Sequence, residues 1–203
     1  MMTAGPMPPG AVVRADDAPS GWVVRWAHLI AEGGEVLDIA AGHGRHARWL
    51  AGRGHRVVAL ERDGAALATL AGIAAVTPVQ ADLEDGSPWP LAGSRRFAAV
   101  VVTRYLHRPL LPRLAALLAP GGVLLYETFA HGNETVGRPS NPAFLLAPGE
   151  LLDAVRPALR VVAFEDGFEA APRPAFVQRI CALRERPGDQ APPRYALDGG
   201  EGR

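Results

Sequence analysis

Lysine is missing: all 21 basic residues among the 203 are arginine, matched by 21 acidic ones for a net charge of zero. Without lysine the chain has no Schiff-base amine, no P-loop phosphate cradle and no Tyr/Lys pair of the short-chain dehydrogenase kind. Balanced charge removes the basic excess that non-specific nucleic-acid binding requires, so a nucleic-acid partner is not expected. Cysteine occurs once, at Cys181. One thiol excludes an intrachain disulfide and a thiolate zinc site, and Cys181 reads as a buried small hydrophobe on a late strand. No apolar run reaches the roughly 18 to 20 residues of a membrane span, and the N-terminus lacks the apolar segment of a signal peptide. The expected setting is therefore the cytoplasm, with no membrane partner. Nothing in the sequence fixes an oligomeric state.

What is present is organised around EVLDIAAGHGRHARWL, residues 35–50. Val36, Leu37 and Ile39 form the short apolar run of a buried parallel strand, Gly42 and Gly44 permit a tight turn, and a helix follows. The first N–H groups of that helix point back into the turn and can hold an anionic ligand group. Two ligands compete for the turn. Gly42, Gly44 and Ala47 fit the G-x-G-x-x-A dinucleotide fingerprint, whereas Asp38, Ala40, Gly42 and Gly44 fit D-x-G-x-G-x-G with alanine in the first glycine place. A carboxylate at the strand tip would repel a pyrophosphate but suits the ammonium and sulfonium of S-adenosylmethionine (SAM). On this reading Asp38 takes the cationic end, and the methyl group of Ala40 is tolerated if that residue has a negative φ.

Acidic residues recur at later strand tips. The apolar strand 56–60 ends at Glu61, 19 positions after Gly42, a spacing at which a carboxylate accepts hydrogen bonds from ribose hydroxyls of NAD and SAM alike. A third strand, 76–81, runs into Asp82, placed to accept from an adenine amine while Leu83 covers the ring. The strand 97–102, the most apolar of the chain, is expected at the sheet centre. It exits through Thr103, Arg104, Tyr105, Leu106, His107 and Arg108. A helix is expected over 109–118 and a fifth strand over 123–128.

Residues 129–146 lack an apolar period and carry His131, Asn133, Arg138 and Asn141 among anchors Phe129, Phe144 and Leu145. They read as an ordered lid whose polar side chains, with Arg108, contact a substrate. Arg138 lies between Gly137 and Pro139 and suits a bidentate clamp on an anion. Two final strands, 159–164 and 175–183, joined by a turn through Asp166 and Gly167 and a Pro-rich loop, are expected to form an antiparallel hairpin. At the other end, Ser20 caps a helix to about residue 32, whose Trp22, Val23, Trp26, Leu29 and Ile30 make a core stripe. Residues 1–19 and 186–203, rich in Pro and Gly, read as disordered arm and tail around one domain, 20–185.

The motifs VLDIAAGHG, VVALERD, ADLEDG, FAAVVVTRYLH and LLAPGGVLLYETF, within residues 22–184, resemble those of SAM-dependent methyltransferases of class I, and more narrowly the tellurite-resistance-like small-molecule enzymes. The resemblance implies an α/β fold: a Rossmann-like, doubly wound, mostly parallel seven-stranded sheet with a C-terminal antiparallel hairpin. It also implies SAM as cofactor and in-line methyl transfer to a small-molecule acceptor. If the acceptor is protonated a general base is needed, for which His107 is placed best, with Tyr105 and Glu127 as alternatives. His43 and His46 are a poor metal pair without a carboxylate partner, so no metal is expected. Two other readings stay open: an NAD-binding oxidoreductase, and a methyltransferase fold that has lost catalysis and serves as a binding protein.

Overall fold

The structure, a computed structural model, describes residues 18–188 and 193–197. The expected arm, apart from Ala18 and Pro19, and much of the expected tail lie outside these residues. Seven strands form one sheet in the order β3-β2-β1-β4-β5-β7-β6: β1 Glu35–Ile39, β2 Arg56–Glu61, β3 Val76–Gln80, β4 Phe97–Thr103, β5 Leu118–Phe129, β6 Arg160–Glu169 and β7 Ala175–Leu183. β1 to β5 run parallel, and β7 is antiparallel to both β5 and β6. This is the expected fold, with β4 at its centre. Strand order reverses between β1 and β4, the switch point at which open α/β sheets leave a crevice beyond their carboxyl ends.

The two-residue period of each strand divides the core. Leu37, Ile39, Leu60, Val100, Val102 and Tyr126 face one side, against Leu114 of α4 (Leu114–Leu117) and Leu151 of α5 (Glu150–Val155). Val36, Val57, Ala59, Val101 and Leu125 face the other, against Trp22 and Trp26 of α1 (Gly21–Trp26), Ala47 and Leu50 of α2 (Arg45–Gly52), and Leu67 of α3 (Gly64–Ala68). The tryptophan stripe is thus core, and Ser20 caps it by accepting from the Trp22 N–H at 3.1 Å.

Several local expectations shift. The first helix stops at Trp26 and tightens into a 3₁₀ turn, Ala27–Leu29. The segment expected as one helix after β4 is a 3₁₀ stretch, Arg108–Arg113, followed by the short α4, because Pro112 has no N–H and obstructs an α-helical turn. β5 begins earlier than expected, where Leu118 pairs with Phe97. The antiparallel hairpin forms with its turn in the Pro-rich loop alone, residues 170–174, where Pro172 and Pro174 cannot join a ladder; Asp166 and Gly167, expected in the connection, pair with Gln178 and Val177. Of the expected tail, Tyr195 packs on the α1–α3 face of the core, with Arg160 5.9 Å over its ring.

Candidate functional site

A cavity of about 430 Å³ opens at the carboxyl ends of the parallel strands. Its floor is Ala40, just past β1, and Glu61, the last residue of β2; Asp82 and Leu83 follow β3, and Arg104 and Tyr105 follow β4. Phe129, Pro139 and Phe144 of the 129–146 segment close it from above. Four of the seven residues read from sequence as cofactor contacts therefore share one cavity.

Glu61 is the best-defined of them. Its Oε2 accepts the Gly42 N–H at 2.8 Å, and its Oε1 accepts the N–H groups of Arg62 (2.9 Å) and Asp63 (3.1 Å). Gly42 reaches it with φ +54°, a conformation that favours glycine. Glu61 thus ties the β1 turn to the β2 tip, which accounts for the spacing between them. Asp82 accepts the Glu84 N–H on Oδ1 at 2.9 Å, and its Oδ2 lies 4.0 Å from Arg62 Nη1.

Ala40 does not meet the condition for easy tolerance of its methyl group: its φ is +55°, in the left-handed region. Arg104, at φ +54°, is the other non-glycine residue with positive φ among the described residues. Both line the cavity, and both follow adjacent strands at the switch point. Backbone strain is concentrated where the chain leaves the sheet beside the ligand space.

Other sequence assignments lie elsewhere. Asp38 shares its pleat face with Val36, so its side chain lies under α2 rather than in the cavity; it is 1% exposed. Burial raises its carboxyl to about 7, and Oδ2 has no partner. Gly44 (φ +76°) serves packing, since a Cβ there would collide with the Leu70 side chain. His107 stacks on Tyr105 at 6.4 Å and lines a neighbouring depression with Trp89 and Arg113 instead. Glu127 points to the α1 and α2 side, where it accepts from Ser20 Oγ at 2.9 Å and Arg179 Nη1 at 3.3 Å; burial raises its carboxyl. Tyr105 does line the cavity, but burial and the nearby Glu84 charge raise its hydroxyl and keep it a donor.

The polar residues of the lid hold the lid. Arg108 makes a bidentate pair with Glu150 (2.7 and 3.0 Å) and donates to the Ala143 and Leu145 carbonyls at 2.8 and 2.9 Å, so it clamps the returning limb instead of facing a substrate. Asn133 is buried, donating to the Pro139 carbonyl and accepting the Phe176 N–H. Asn141 caps a 3₁₀ turn through the Ala143 N–H, and His131 is exposed 3.8 Å from Glu134. Arg138 is exposed and precedes Pro139, which lines the cavity. His46 is buried and accepts the Ser20 N–H on Nε2 at 3.0 Å; desolvation lowers it to about 3, so it is neutral. Sequence reasoning missed Glu84 and Arg104 as cavity residues. Their signal is positional: each lies a few residues beyond a strand tip.

A doubly wound sheet with its switch point at β1 and β4, closed by an antiparallel hairpin and carrying acidic strand tips around one cavity, defines the class I methyltransferase fold. Residues 36–122 match a methyltransferase domain family. Among curated proteins nothing matches the chain. Similar solved structures include TehB from Haemophilus influenzae, 18% identical with a TM-score of 0.66, which covers 82% of this chain; this chain spans 63% of TehB. A TehB-like SAM-dependent methyltransferase from Corynebacterium glutamicum is 17% identical (TM-score 0.57, 80% of this chain and 89% of that one). The 1,6-didemethyltoxoflavin-N1-methyltransferase of Burkholderia thailandensis, with bound 1,6-didemethyltoxoflavin and S-adenosylhomocysteine, is 23% identical (TM-score 0.58, 81% and 76%). The chain therefore shares the fold of these SAM-dependent methyltransferases.

Proposed function

We propose that this protein moves the methyl group of SAM to a small-molecule acceptor, with the cofactor seated in the 430 Å³ cavity and the acceptor entering beneath residues 129–146. The observation that carries this reading is the convergence of Glu61, Asp82 and Leu83 on the floor built by Ala40. Each carboxylate oxygen has two lone-pair directions. Three backbone donors leave one on Glu61 Oε2, which suits a ribose hydroxyl. Asp82 suits an adenine amine, and Leu83 supplies the apolar cover. The buried, unpartnered Oδ2 of Asp38 lies behind the same turn. Asp38 holds that turn through α2 and touches no ligand directly.

The lining also argues against a dinucleotide. Glu61, Asp82 and Glu84 outnumber Arg62 and Arg104 in the cavity, a balance that favours a cofactor with cationic groups over a pyrophosphate. Membrane insertion has no support: among the described residues no helix is long and apolar enough to cross a bilayer. The small-molecule class is supported by the apolar roof of Phe129, Pro139 and Phe144, and by the Burkholderia relative that holds such a compound.

When bound, SAM supplies a methyl group on a positively charged sulfur. The residues of this chain bind, orient and exclude water, a contribution that reaches roughly 7 to 11 kcal/mol for well-aligned reactants. Burial and the nearby Glu84 keep the Tyr105 hydroxyl protonated, Glu127 is held by Ser20 and Arg179, and His107 faces another depression, so none of the three is positioned to take a proton from an acceptor in the cavity. Arg138, exposed next to the cavity-lining Pro139, is the side chain we assign to acceptor capture.

Incubating the purified protein with methyl-labelled SAM and, separately, metabolite pools, nucleic acid and metalloid oxyanions tests this reading. Label is expected in low-molecular-mass product. Label confined to nucleic acid would overturn the acceptor class.

A further inference from the structure

The stretch after β4 builds a second depression beside the cofactor cavity. Pro112 lies in the 3₁₀ helix Arg108–Arg113, and in such a helix residues three apart share a face. Leu110 and Arg113 therefore line up behind the capping residue His107, and all three line a depression of about 360 Å³. Leu83, Ser87 and Trp89, from the irregular connection between β3 and β4, form its other wall. That wall is fixed. Pro88 and Pro90 restrict the backbone on either side of Trp89, whose ring packs partly against the core, and the Ser87 N–H donates to Asp85 Oδ1 at 2.8 Å. The Arg113 guanidinium lies 6.0 Å from the centre of the Trp89 ring, and this pair also lines a smaller depression of about 220 Å³ that adds Arg96.

The charge here is one-sided. Neither depression has an aspartate or glutamate in its lining. Arg96 donates to the Gly93 and Arg95 carbonyls, and among the described residues no carboxylate forms an ion pair with Arg96 or Arg113, whereas the adjacent Arg95 is paired with Glu35 at 2.9 Å. Guanidinium charge without a counter-ion, set beside aromatic and apolar walls, attracts an anion with an apolar body. We propose that this groove is a second ligand site that takes a flat aromatic carboxylate, its anionic group on Arg113 and its ring system along Trp89, Leu110 and His107. The planar guanidinium fork matches a carboxylate. The His107 ring nitrogens, which hydrogen-bond no described residue, are left for a polar substituent at the far end of the ligand. The site adjoins the cofactor cavity without belonging to it: Leu83 lines both, and the His107 ring stacks on Tyr105 of the cavity wall. It stands independently of the reading of that cavity as the SAM site.

Calorimetric titration of the full chain with 6-hydroxy-2-naphthoate tests the site, since this probe carries a carboxylate and a hydroxyl at opposite ends of a flat bicycle. One probe per chain is expected, with Kd below about 1 mM. Saturating S-adenosylhomocysteine (SAH) should leave that stoichiometry unchanged. The methyl ester of the probe, which lacks the charge, should bind about tenfold more weakly. Arg113→Gln and Trp89→Ala should each weaken the acid about tenfold, the scale of one charge-assisted hydrogen bond or one aromatic contact. Arg113→Gln should also bring acid and ester to similar affinity, because both changes remove the same interaction. Trp89→Phe, which keeps a ring, should stay within about threefold of the wild type, and thermal melting reports whether each variant is folded. Absence of saturable binding at millimolar probe, equal wild-type affinity for acid and ester, or wild-type affinity in Arg113→Gln would each overturn the site. One-for-one displacement of the probe by SAH would place it in the cofactor cavity and overturn the site as well. Probe binding without any SAH binding would uphold the groove and remove the cofactor assignment, a different failure.

Discussion

Replacing Glu61 by glutamine probes the joint between the β1 turn and the β2 tip. The carboxylate takes three backbone N–H groups on two oxygens. Glutamine offers one oxygen. If that oxygen serves Arg62 and Asp63, the new NH₂ confronts the Gly42 N–H, donor against donor. Hydrogen bonds to charged groups contribute about 1.5 to 3 kcal/mol each. The Gly42 bond exists without ligand, so part of the loss appears as stability: about 1 to 2 kcal/mol, or a Tm fall of about 2 to 8 °C for a protein of this size. The remainder appears as affinity, because the ribose faces a donor in place of an acceptor; a loss of roughly tenfold in SAH binding corresponds to about 1.4 kcal/mol. Turnover at saturating SAM should recover, since a contact to the ribose is uniform binding. Thermal melting and calorimetric titration of SAH measure both effects. Wild-type Tm together with wild-type SAH affinity would refute the role given to Glu61.

Three further outcomes are expected. Gly44→Ala should destabilise by about 2 to 3 kcal/mol because a left-handed φ is compounded by collision with Leu70, whereas Gly42→Ala, with open space around its Cβ, should cost about 1 kcal/mol; equal losses in urea unfolding would contradict this. Asp38, raised to about 7 by burial, holds a proton in the folded state that the unfolded chain releases above about pH 4, so its contribution to stability falls as pH rises from about 4 to 7. Asp38→Asn should flatten the stability curve across that window while leaving SAH affinity within about threefold, and an unaltered pH slope would show that Asp38 is not the group responsible. Arg108→Ala should speed amide exchange over residues 143–147 about tenfold by releasing the lid's returning limb, with SAH affinity little changed; undisturbed protection there would mean the clamp is redundant.

Much of the fold was legible because it follows from periodicity. The buried run at Val36 to Ile39 and the apolar strand 97–102 each report a strand covered on both faces, and the acidic residues Glu61 and Asp82 mark where two more strands end. Residue types alone did not fix which way a side chain points. Asp38 occurs in the right motif, yet the pleat turns it under α2. Ala40 adopts the glycine-favoured φ despite its methyl group, because the turn's geometry outweighs the local preference. The lid shows the same limit. Polar side chains on an irregular loop look like ligand contacts, but backbone there needs partners, and Arg108, Asn133 and Asn141 supply them. Glu84 and Arg104 went unread because their place in the cavity depends on strand order, which brings distant chain segments together.

Titration of the purified protein with SAH and, separately, with NAD⁺ by isothermal calorimetry tests the cofactor assignment most directly. One SAH per chain is expected, with affinity weakened about tenfold by Glu61→Gln and no heat from NAD⁺. Binding of NAD⁺ in competition with SAH, or saturable NAD⁺ binding where SAH gives none at millimolar concentration, would contradict the assignment of this cavity to SAM.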